Sequence, residues 1–394
     1  MITCVRFFCS GAFAALLFAA GCTPRATDSG ASPLPRPPAS PNPSGLAVML
    51  PPNDAPAAAT VATSRWKFVF AGDILLAGSA TPELAQTGFA SPFTAFASIL
   101  RQADLAMANF EAPIATTAPE WPDKRFTFQM PRAVTRALAD AGFDVLHLAN
   151  NHIGDHGRWA MLESVHALQQ AGLSPCGVGR NRQAAAQPVL VTLPNGLRVA
   201  LICFSNTLPE EFWATTTQPG AAYGHPEAVS AAVRRARSQA DLVIASFHWG
   251  AELMREPKRY QRDLAHLAID QGADIVVGHH PHVLQPIEWY RGRPILYSLG
   301  NFAFGSYSRN VSESALITIS GDGASVTDVA VLPLDVYNPR VVFHPRPLPE
   351  AAARRVAEFL FGSTVTRDTA GWFRPAISPM NTHKEGHHGH NATD

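Results

Sequence analysis

The sequence predicts an α/β fold in one large domain, and three observations lead to this prediction. Strand-like and helix-like runs alternate through short connections from Arg65 to about Tyr337. The strand-like runs are largely apolar, as expected for strands that are covered on both faces of a sheet. Six of them end in Asp, Asn, Glu or His. Open α/β sheets bind their ligands at the carboxyl ends of strands, so these ends predict one shared site.

Residues 1–21 are typical of a secretory signal, because Arg6 precedes an apolar run that is too short to span a bilayer. Small residues stand directly before Cys22, which resembles the lipobox of bacterial lipoproteins. We therefore expect an exported cell-envelope lipoprotein that is held at the membrane by lipid on Cys22. The alternative is a cleaved protein that is soluble in the periplasm or secreted.

Residues 22–64 are dominated by Pro, Ala and Ser and lack apolar periodicity, which predicts a linker. The chain has 31 basic and 31 acidic residues, so its net charge does not favour nucleic acid, and no nucleic-acid partner is expected. Without the signal and Cys22, only Cys176 and Cys203 remain. They could form a disulfide, but the apolar run around Cys203 favours a buried thiol.

The domain is predicted over residues 65–337, and polar residues follow six of its apolar strands directly. The predicted strands are 67–72, 104–108, 143–149, 242–247, 274–278 and 294–300. The residues that follow them are Asp73, Asn109-Phe110-Glu111, Asn150-Asn151-His152, His248, His279-His280-Pro281-His282 and Asn301. Buried polar groups without partners are costly, so one shared site explains all six ends better than chance does. At the third end, the alternative is that Asn or Asp caps the next helix.

Other elements complete the predicted domain. Helices are predicted over 132–141 and 157–171, and a hairpin is predicted from strands 314–320 and 325–332. A loop over 113–129 is expected to overhang the site, where Lys124 and Arg125 either hold an anionic substrate or form a solvated surface pair. The loop over 205–225 is expected to form a lid or rim. Residues 338–394 are predicted to contain a helix over 350–361 and a His-rich tail, which is either disordered or a loose metal binder.

The residue types at the strand ends indicate a divalent metal. Carboxylate, amide and imidazole ligands together suit Zn, Mn or Fe, and two ions about 3.5 to 4 Å apart can activate a bridging water for hydrolysis. His280 and His282 have the spacing that points both imidazoles to one side of an extended segment. Asn151 offers an amide oxygen, and His152 could give a proton to a leaving group.

As a set, these motifs resemble the bacterial capsule synthesis protein CapA family, which is involved in poly-γ-glutamate capsule formation and is similar to the calcineurin-like metallophosphoesterases. The resemblance covers residues 65–333 and implies a metallophosphoesterase-like, layered α/β/β/α sandwich with mixed sheets. The motifs that carry it are Gly72-Asp73, Asn109-Phe110-Glu111, Asn150-Asn151-His152-Ile153-Gly154-Asp155, His248-Trp249-Gly250, Gly278-His279-His280-Pro281-His282-Val283 and Ser298-Leu299-Gly300-Asn301-Phe302.

The resemblance also implies roles for individual residues. It implies one or two divalent ions (Mn, Zn or Fe), with His152 as the acid near the leaving group and Glu111 as the bridging ligand. The other implied metal ligands are Asp73, Asn151, His248, His280 and His282. Residues that could orient these ligands or meet the substrate are Asn109, Asn150, Asp155, Glu252, His279 and Asn301. The role of His279 stays open, and Asn301 either approaches the site or caps its own loop.

Two departures from the metallophosphoesterase pattern bear on the metal. Leu75 stands where Asp-x-His has its histidine, and Asn109-Phe110-Glu111 replaces Gly-Asp-x-x-Asp. One of two metal positions is therefore expected to be weak, differently liganded or empty.

The resulting expectation is an extracytoplasmic, metal-dependent hydrolase of capsule biosynthesis. Its substrate would be an anionic cell-surface polymer, poly-γ-glutamate by the resemblance, or a phosphoester. The alternative is a non-catalytic accessory protein that binds the polymer for capsule synthesis, export or anchoring, beside membrane-bound synthesis and export proteins.

Overall fold

The structure is a computed structural model that describes residues 64–115, 118–122 and 124–377. The predicted signal, Cys22, all of the predicted linker except Ser64, and the His-rich tail lie outside the described residues. Within these three ranges, no helix is long and apolar enough to cross a membrane.

The described residues form eighteen strands, which are numbered in chain order. They are β1 Arg65–Leu75, β2 Leu105–Phe110, β3 Val145–His147, β4 Ser174–Cys176, β5 Val178–Gly179, β6 Val189–Thr192, β7 Arg198–Ser205, β8 Gly220–Ala221, β9 Leu242–His248, β10 Ile275–His279, β11 Leu284–Tyr290, β12 Arg293–Leu299, β13 Asn301–Phe304, β14 Glu313–Asp322, β15 Ser325–Asp335, β16 Arg346–Pro347, β17 Val365–Arg367 and β18 Phe373–Pro375.

Nine α-helices and four short 3₁₀ turns are found in the same ranges. The α-helices are α1 Thr81–Thr87, α2 Ala97–Arg101, α3 Ala133–Ala141, α4 Gly157–Gln170, α5 Arg182–Ala185, α6 Pro226–Arg237, α7 Arg259–Asp270, α8 Asn338–Val341 and α9 Glu350–Phe361. The 3₁₀ turns are Gly78–Ala80, Ser91–Phe93, Glu210–Phe212 and Arg309–Val311.

Sixteen of the strands form two large mixed sheets, and β5 and β8 form a separate two-stranded sheet. In the first sheet, the order is β17-β18-β15-β14-β1-β2-β3-β4, with β13 paired to β1 and β16 paired to β15. Strands β1 to β4 and β13 are parallel, whereas β14 and β15 are antiparallel to their neighbours. The second sheet has the order β11-β12-β10-β9-β7-β6, with a parallel centre and antiparallel edges.

Three hydrophobic cores separate four layers. The first core lies between the first sheet and α2 to α4, and includes Leu138 and Leu168. The second core lies between the two sheets, where Phe68 of the first sheet and Leu201 of the second belong to one cluster. The third core lies between the second sheet and α6 and α7, and includes Val233. The predicted α/β/β/α sandwich is therefore confirmed.

Helix α3 illustrates how the sequence directs these layers. Its residues Val134, Ala137, Leu138 and Ala141 recur at helical spacing and are all buried, so one face packs on the first sheet. The helix ends at Gly142, which has φ of 104°, a left-handed conformation that glycine adopts without strain.

All six predicted strands with polar ends exist, and the predicted hairpin is formed by β14 and β15. The predicted helices correspond to α3, α4 and α9. Strands β16 to β18 were not predicted. They extend the first sheet beyond β15, and α9 contributes Ala357 and Leu360 to the core between the sheets.

Candidate metal centre

The carboxyl ends of both sheets place the polar residues side by side. In the first sheet, Asp73 at the end of β1 pairs in register with Asn109 of β2 and with Asn301 of β13. In the second sheet, His248 at the end of β9 pairs with His279 of β10. Because these ends meet at one edge of the sandwich, residues far apart in sequence converge there.

Close approach of two backbone segments positions Asp73. The backbone N–H of Asp73 donates to the carbonyl of Gly300 at 3.0 Å. A Cβ atom added at Gly72 would lie 2.0 Å from that same carbonyl oxygen. Only glycine therefore fits at position 72, and it allows Asp73 and Asn301 to meet.

Asp73, Glu111 and His282 form what we call the carboxylate half of the centre. His282 Nδ1 lies 3.1 Å from Asp73 Oδ2, and His282 Nε2 lies 3.5 Å from Glu111 Oε1. The Asn109 amide donates to Asp73 Oδ1 and to Glu111 Oε2, both at 2.9 Å. Asn301 Oδ1 lies 2.9 Å from His282 Nδ1, so Asn301 approaches the site and does not simply cap its own loop.

Asn151, His248 and His280 form what we call the histidine half. His248 Nε2 lies 2.8 Å from Asn151 Oδ1 and 3.7 Å from Glu111 Oε1, so Glu111 lies between the two halves. The rings of His248 and His280 are 4.8 Å apart. Among the described residues, no hydrogen-bond partner reaches the buried atoms His248 Nδ1, His280 Nδ1 or Glu111 Oε1.

Electrostatics differ between the halves. Burial lowers the pKa of His280 to about 3, and the neighbouring His282 adds to this effect. Burial also lowers the pKa of His248, so both imidazoles are neutral at pH 7. Burial acts in the same direction on His282, but the carboxylates of Glu111 and Asp73 outweigh it and raise its pKa to about 10. The pKa of Asp73 is lowered, because its contacts with His279 and His282 together outweigh the opposing effect of burial.

The residues present fit a divalent metal. Two sets of side chains have ligand atoms within 4.8 Å of one another, namely Glu111 with His280 and His282, and Asp73 with Glu111 and His248. Their unpartnered buried nitrogens and oxygen are costly unless a cation satisfies them. Burial, and then the charge of Asp73, raises the pKa of Glu111, an effect that a bound cation would reverse. Mixed imidazole and oxygen ligands suit Zn, Mn or Fe.

The backbone at His280 and His282 differs from the expected extended segment. His280 has φ of 97° and His282 has φ of 57°, so both lie in the left-handed region that non-glycine residues rarely adopt. Their rings nevertheless face the centre, 5.9 Å apart. The prediction of an extended segment was therefore wrong, and the backbone strain marks a site where side-chain placement outweighs local preference.

Asn150 ties the surrounding loops together. Its amide nitrogen donates to Asn109 Oδ1 at 3.1 Å and to the Phe110 carbonyl at 2.8 Å. Its oxygen accepts from the backbone N–H groups of His152 and Ile153. Asn150 thus shapes its own loop; helix α4 begins after His156, without a side-chain cap, so the alternative of a helix cap was wrong.

His279 and a residue missed from the sequence, His147, lie behind the centre. His279 Nδ1 is 3.4 Å from Asp73 Oδ1, and its ring lies 5.5 Å from that of His147. His147 in β3 contacts Ser246 Oγ at 2.8 Å and the Ala149 carbonyl at 2.9 Å, and joins the two sheets. Burial, and then His279, lowers the pKa of His147 to about 3. The sequence signal that could have identified His147 is its position in a strand that ends in site residues.

His152 lies beside the centre in a separate hydrogen-bonded cluster. Its Nδ1 is 2.7 Å from Asp155 Oδ2 and 2.9 Å from Lys124 Nζ. Lys124 also pairs with Asp155 Oδ1 and donates to the Asn151 carbonyl at 2.6 Å. Burial lowers the pKa of His152, and Asp155 offsets part of that effect.

The 113–129 loop reaches the site through Lys124, which contacts Asn151 and His152. Trp121 packs edge-on against Phe212 of the 205–225 loop, with ring centroids 5.3 Å apart. Lys124 is partly buried and ion-paired with Asp155, so a solvated surface pair with Arg125 was wrong. Arg125 is exposed and lies against the Phe126 ring.

Three other positions lie apart from the centre itself. Asp155 contacts His152 and Lys124 and none of the six predicted ligands. Glu252 is exposed in the loop after His248, and its charge contributes to the raised pKa of Glu111. Leu75 is fully buried in the core between the first sheet and its helices, so it offers no ligand.

Comparison with known proteins gives matches over most of the described domain. Residues 67–306 match the family model described as "Bacterial capsule synthesis protein PGA_cap". The "PGA biosynthesis protein CapA" of Bacillus subtilis (strain 168) is 33% identical over 269 residues, which are 68% of this chain and 71% of the relative. The "Capsule biosynthesis protein CapA" of Bacillus anthracis is 32% identical over 280 residues, 69% of this chain and 68% of the relative.

Two further matches are more distant in coverage or identity. A "probable polyglutamine synthesis accessory protein" of Mycobacterium tuberculosis is 32% identical over 257 residues, 60% of this chain and 67% of the relative. A solved structure of a Thermus thermophilus protein aligns with a TM-score of 0.39 and 11% identity, covering 65% of this chain and 98% of the other.

Proposed function

Because the chain belongs to the bacterial capsule synthesis protein family PGA_cap, we propose that it acts in capsule formation as a metal-dependent hydrolase of an anionic polymer, poly-γ-glutamate. The observation that carries this proposal is the buried cluster of Asp73, Glu111, His248, His280 and His282 with its unpartnered ligand atoms. In poly-γ-glutamate the attacked bond would be an amide; with a phosphoester as the substrate it would be the phosphoester bond.

The metal would be held from both sides of Glu111. Asp73 and His282 would contribute on one side, and Asn151, His248 and His280 on the other. A divalent ion at this place supplies Lewis-acid polarisation of a substrate oxygen and lowers the pKa of a water toward neutrality.

His152 would handle the proton of the leaving group. Its Nδ1 faces Asp155, which fixes the ring and leaves Nε2 as the nitrogen for the mobile proton. Because its pKa is lowered, the free imidazole is neutral at pH 7. It must therefore take up a proton, for example from the attacking water, before it gives one to a leaving amine or alkoxide. Lys124 pairs with Asp155 and contacts His152 Nδ1, so it helps to hold both side chains in place.

We place this activity outside the cytoplasm, with lipid on Cys22 as the anchor. The support is the sequence alone: an apolar leader, small residues before Cys22 and a Pro/Ala/Ser-rich linker. Membrane fractionation of cells that make the wild type and Cys22→Ser checks this. The variant should leave the membrane fraction, and unchanged retention would contradict the anchor.

The experiment for the hydrolase measures the chain length of poly-γ-glutamate during incubation with the purified full chain. We expect EDTA to abolish shortening and Mn or Zn to restore it, and His280→Ala to be inactive. His166→Ala, at an exposed position on α4, is the matched control and should remain active. Shortening that persists in EDTA or in His280→Ala would contradict the metal-dependent mechanism.

A second function, non-catalytic polymer binding beside membrane-bound synthesis and export proteins, is favoured by one observation. Leu75 occupies the place of a metal-binding histidine and is buried in an apolar core. The same assay separates the two functions, because tight binding of polymer without any shortening, at every metal tested, would favour the accessory role.

A further inference from the structure

A groove rich in arginine lies near the start of β14 and the end of β15. It has a volume of about 720 Å³ and is lined by Arg309, Arg340, Arg346 and Arg355, among others. All four arginines are exposed. We call these four residues and the space between them the arginine groove.

Three of these arginines are not neutralised. The carboxylates that line the groove are already paired, Asp335 with Arg340 at 2.8 Å and Glu313 with Arg255 at 3.6 Å. Across the described ranges, Arg309, Arg346 and Arg355 form no ion pair with any carboxylate. The groove therefore presents an excess of positive charge, although the whole chain is neutral.

The three free guanidinium groups are held in place by weak contacts. Arg346 donates to the Arg340 carbonyl at 2.9 Å, and Arg355 donates to the Ala351 carbonyl at 3.1 Å. The Arg309 guanidinium lies 5.7 Å from the centre of the Tyr337 ring. These contacts leave most N–H donors of each guanidinium available, and such donors match the two oxygens of a carboxylate.

The arginine groove is connected to the metal centre. The Phe304 ring lies 4.9 Å from the ring of His282, in the carboxylate half. The Phe304 carbonyl accepts from the Asn338 amide at 2.7 Å, and Asn338 begins the short helix that contains Arg340. Two successive contacts therefore join the two places through the protein.

We propose that the arginine groove binds a segment of a polycarboxylate chain. Several separate cations along one groove favour an oligomer with repeated carboxylates over a single small anion. The groove lies beyond residues 67–306, which match the family model. The identity of the polymer as poly-γ-glutamate rests on the proposed function, whereas the preference for repeated carboxylates rests on the arginines.

The test measures binding of a fluorescent γ-glutamate oligomer to the full chain by anisotropy. The groove variant carries Arg309→Gln, Arg346→Gln and Arg355→Gln. The control carries Arg101→Gln, Arg132→Gln and Arg234→Gln, which remove the same charge from exposed positions on the helical layers. We expect the groove variant to bind at least about tenfold more weakly and the control to change by less than about twofold. Circular dichroism should show both variants folded.

Several outcomes would overturn the inference. Equal losses in both variants would mean that bulk charge alone attracts the oligomer, and unchanged binding in the groove variant would mean that the groove is not the site. Tighter binding of polyphosphate, or of phosphatidylglycerol vesicles, through the same three arginines would identify a phosphate chain or a lipid surface instead.

A metal-centre variant separates this inference from the proposed hydrolase. His280→Ala should lose polymer shortening but keep oligomer binding within about twofold, because the groove supplies the binding. If His280→Ala removed binding while the groove variant kept it, the metal centre itself would be the binding site and the inference would be wrong. If neither the wild type nor any variant shortens the polymer, oligomer binding by the arginine groove can still be measured and compared between the variants.

Discussion

The two halves of the candidate metal centre share Glu111 but satisfy their polar atoms in different ways. In the carboxylate half, Asp73 and His282 form an ion pair, and the Asn109 amide donates to both carboxylates. In the histidine half, the described residues provide no hydrogen bond for Nδ1 of His248 or of His280. A metal ion would therefore satisfy unpartnered ring nitrogens in the histidine half, whereas in the carboxylate half it would have to replace the proton of His282.

The difference between the halves also explains how the leucine at position 75 affects metal binding. A histidine ligand at that position would strengthen the carboxylate half, but Leu75 belongs to an apolar core. Asn301, whose Oδ1 lies 2.9 Å from His282 Nδ1, is the polar group that the chain offers there instead. We therefore expect the histidine half to bind its ion more tightly.

The largest effect is expected from the residue that the two halves share. Glu111→Gln removes the carboxylate that belongs to both ligand sets, so we expect metal affinity to fall by more than about a hundredfold at both positions, since even partners around a ligand account for about 10- to 100-fold. Metal content by inductively coupled plasma mass spectrometry and calorimetric titration measure this. Glu256→Gln is the matched control, because Glu256 is exposed and outside both ligand sets, so metal content should be unchanged. Equal metal content in both variants would remove Glu111 from the ligand set.

Single histidine variants test which half binds its metal ion more tightly. His280 and His282 both belong to one ligand set with Glu111, but only His280 has an unpartnered buried ring nitrogen, so His280→Ala should lose the tight ion and His282→Ala should keep it. We expect affinity of the tight site to fall about tenfold or more in the first variant and to change little in the second. Titration with Mn or Zn, followed by counting of bound ions, distinguishes them. The reverse order of losses would show that the carboxylate half binds its ion more tightly.

Many residues of this centre could be predicted from the sequence, because buried parallel strands have long apolar runs that end abruptly in polar residues. Asp73, Glu111, Asn151 and His248 were located in this way, and the structure brings them together. Their roles as ligands stay predictions. Sheet pairing then fixes which ends are neighbours, and that pairing depends on contacts between distant segments.

The features of the site that could not be predicted also depend on contacts between residues far apart in the sequence. The left-handed backbone of His280 and His282 contradicts local preference and is maintained by the surrounding fold. His147 looked like one polar residue in a strand, yet it joins the two sheets through Ser246, which is 99 positions away. The contact of Lys124 with Asp155 crosses a loop without periodicity, where sequence left two interpretations open.

A backbone change tests whether the carboxylate half depends on close packing. Gly72→Ala places a methyl group against the Gly300 carbonyl, so we expect a loss of about 3 kcal/mol in the free energy of unfolding, at the upper end for overpacking. Gly88→Ala is the control, because nothing lies near its Cβ position and only its positive φ is strained, at a cost of about 1 kcal/mol. Urea unfolding measures both. Folded Gly72→Ala should keep the tight ion of the histidine half; loss of that ion would show that the halves are not independent.

The smallest effect is a difference in pH dependence between the halves, measured on protein freed of metal with EDTA. The pKa of His282 is raised from 6.5 to about 10, so its stabilisation is complete below pH 6.5 and is lost as the pH rises through about 10. The pKa of His280 is lowered to about 3, so its contribution is present above pH 6.5 and is lost as the pH falls through about 3. Raising the pH therefore weakens the carboxylate half, whereas lowering it weakens the histidine half.

We expect the unfolding free energy of the wild type to fall by roughly 1–2 kcal/mol between pH 7 and pH 9.5, because His282 loses its proton. This loss is smaller than the full pKa shift would give, because Asp73 shares the same ion pair. Urea unfolding at both pH values should show that His282→Gln abolishes this loss while His280→Gln retains it, and equal slopes in the two variants would mean that the ion pair of the carboxylate half does not control alkaline stability.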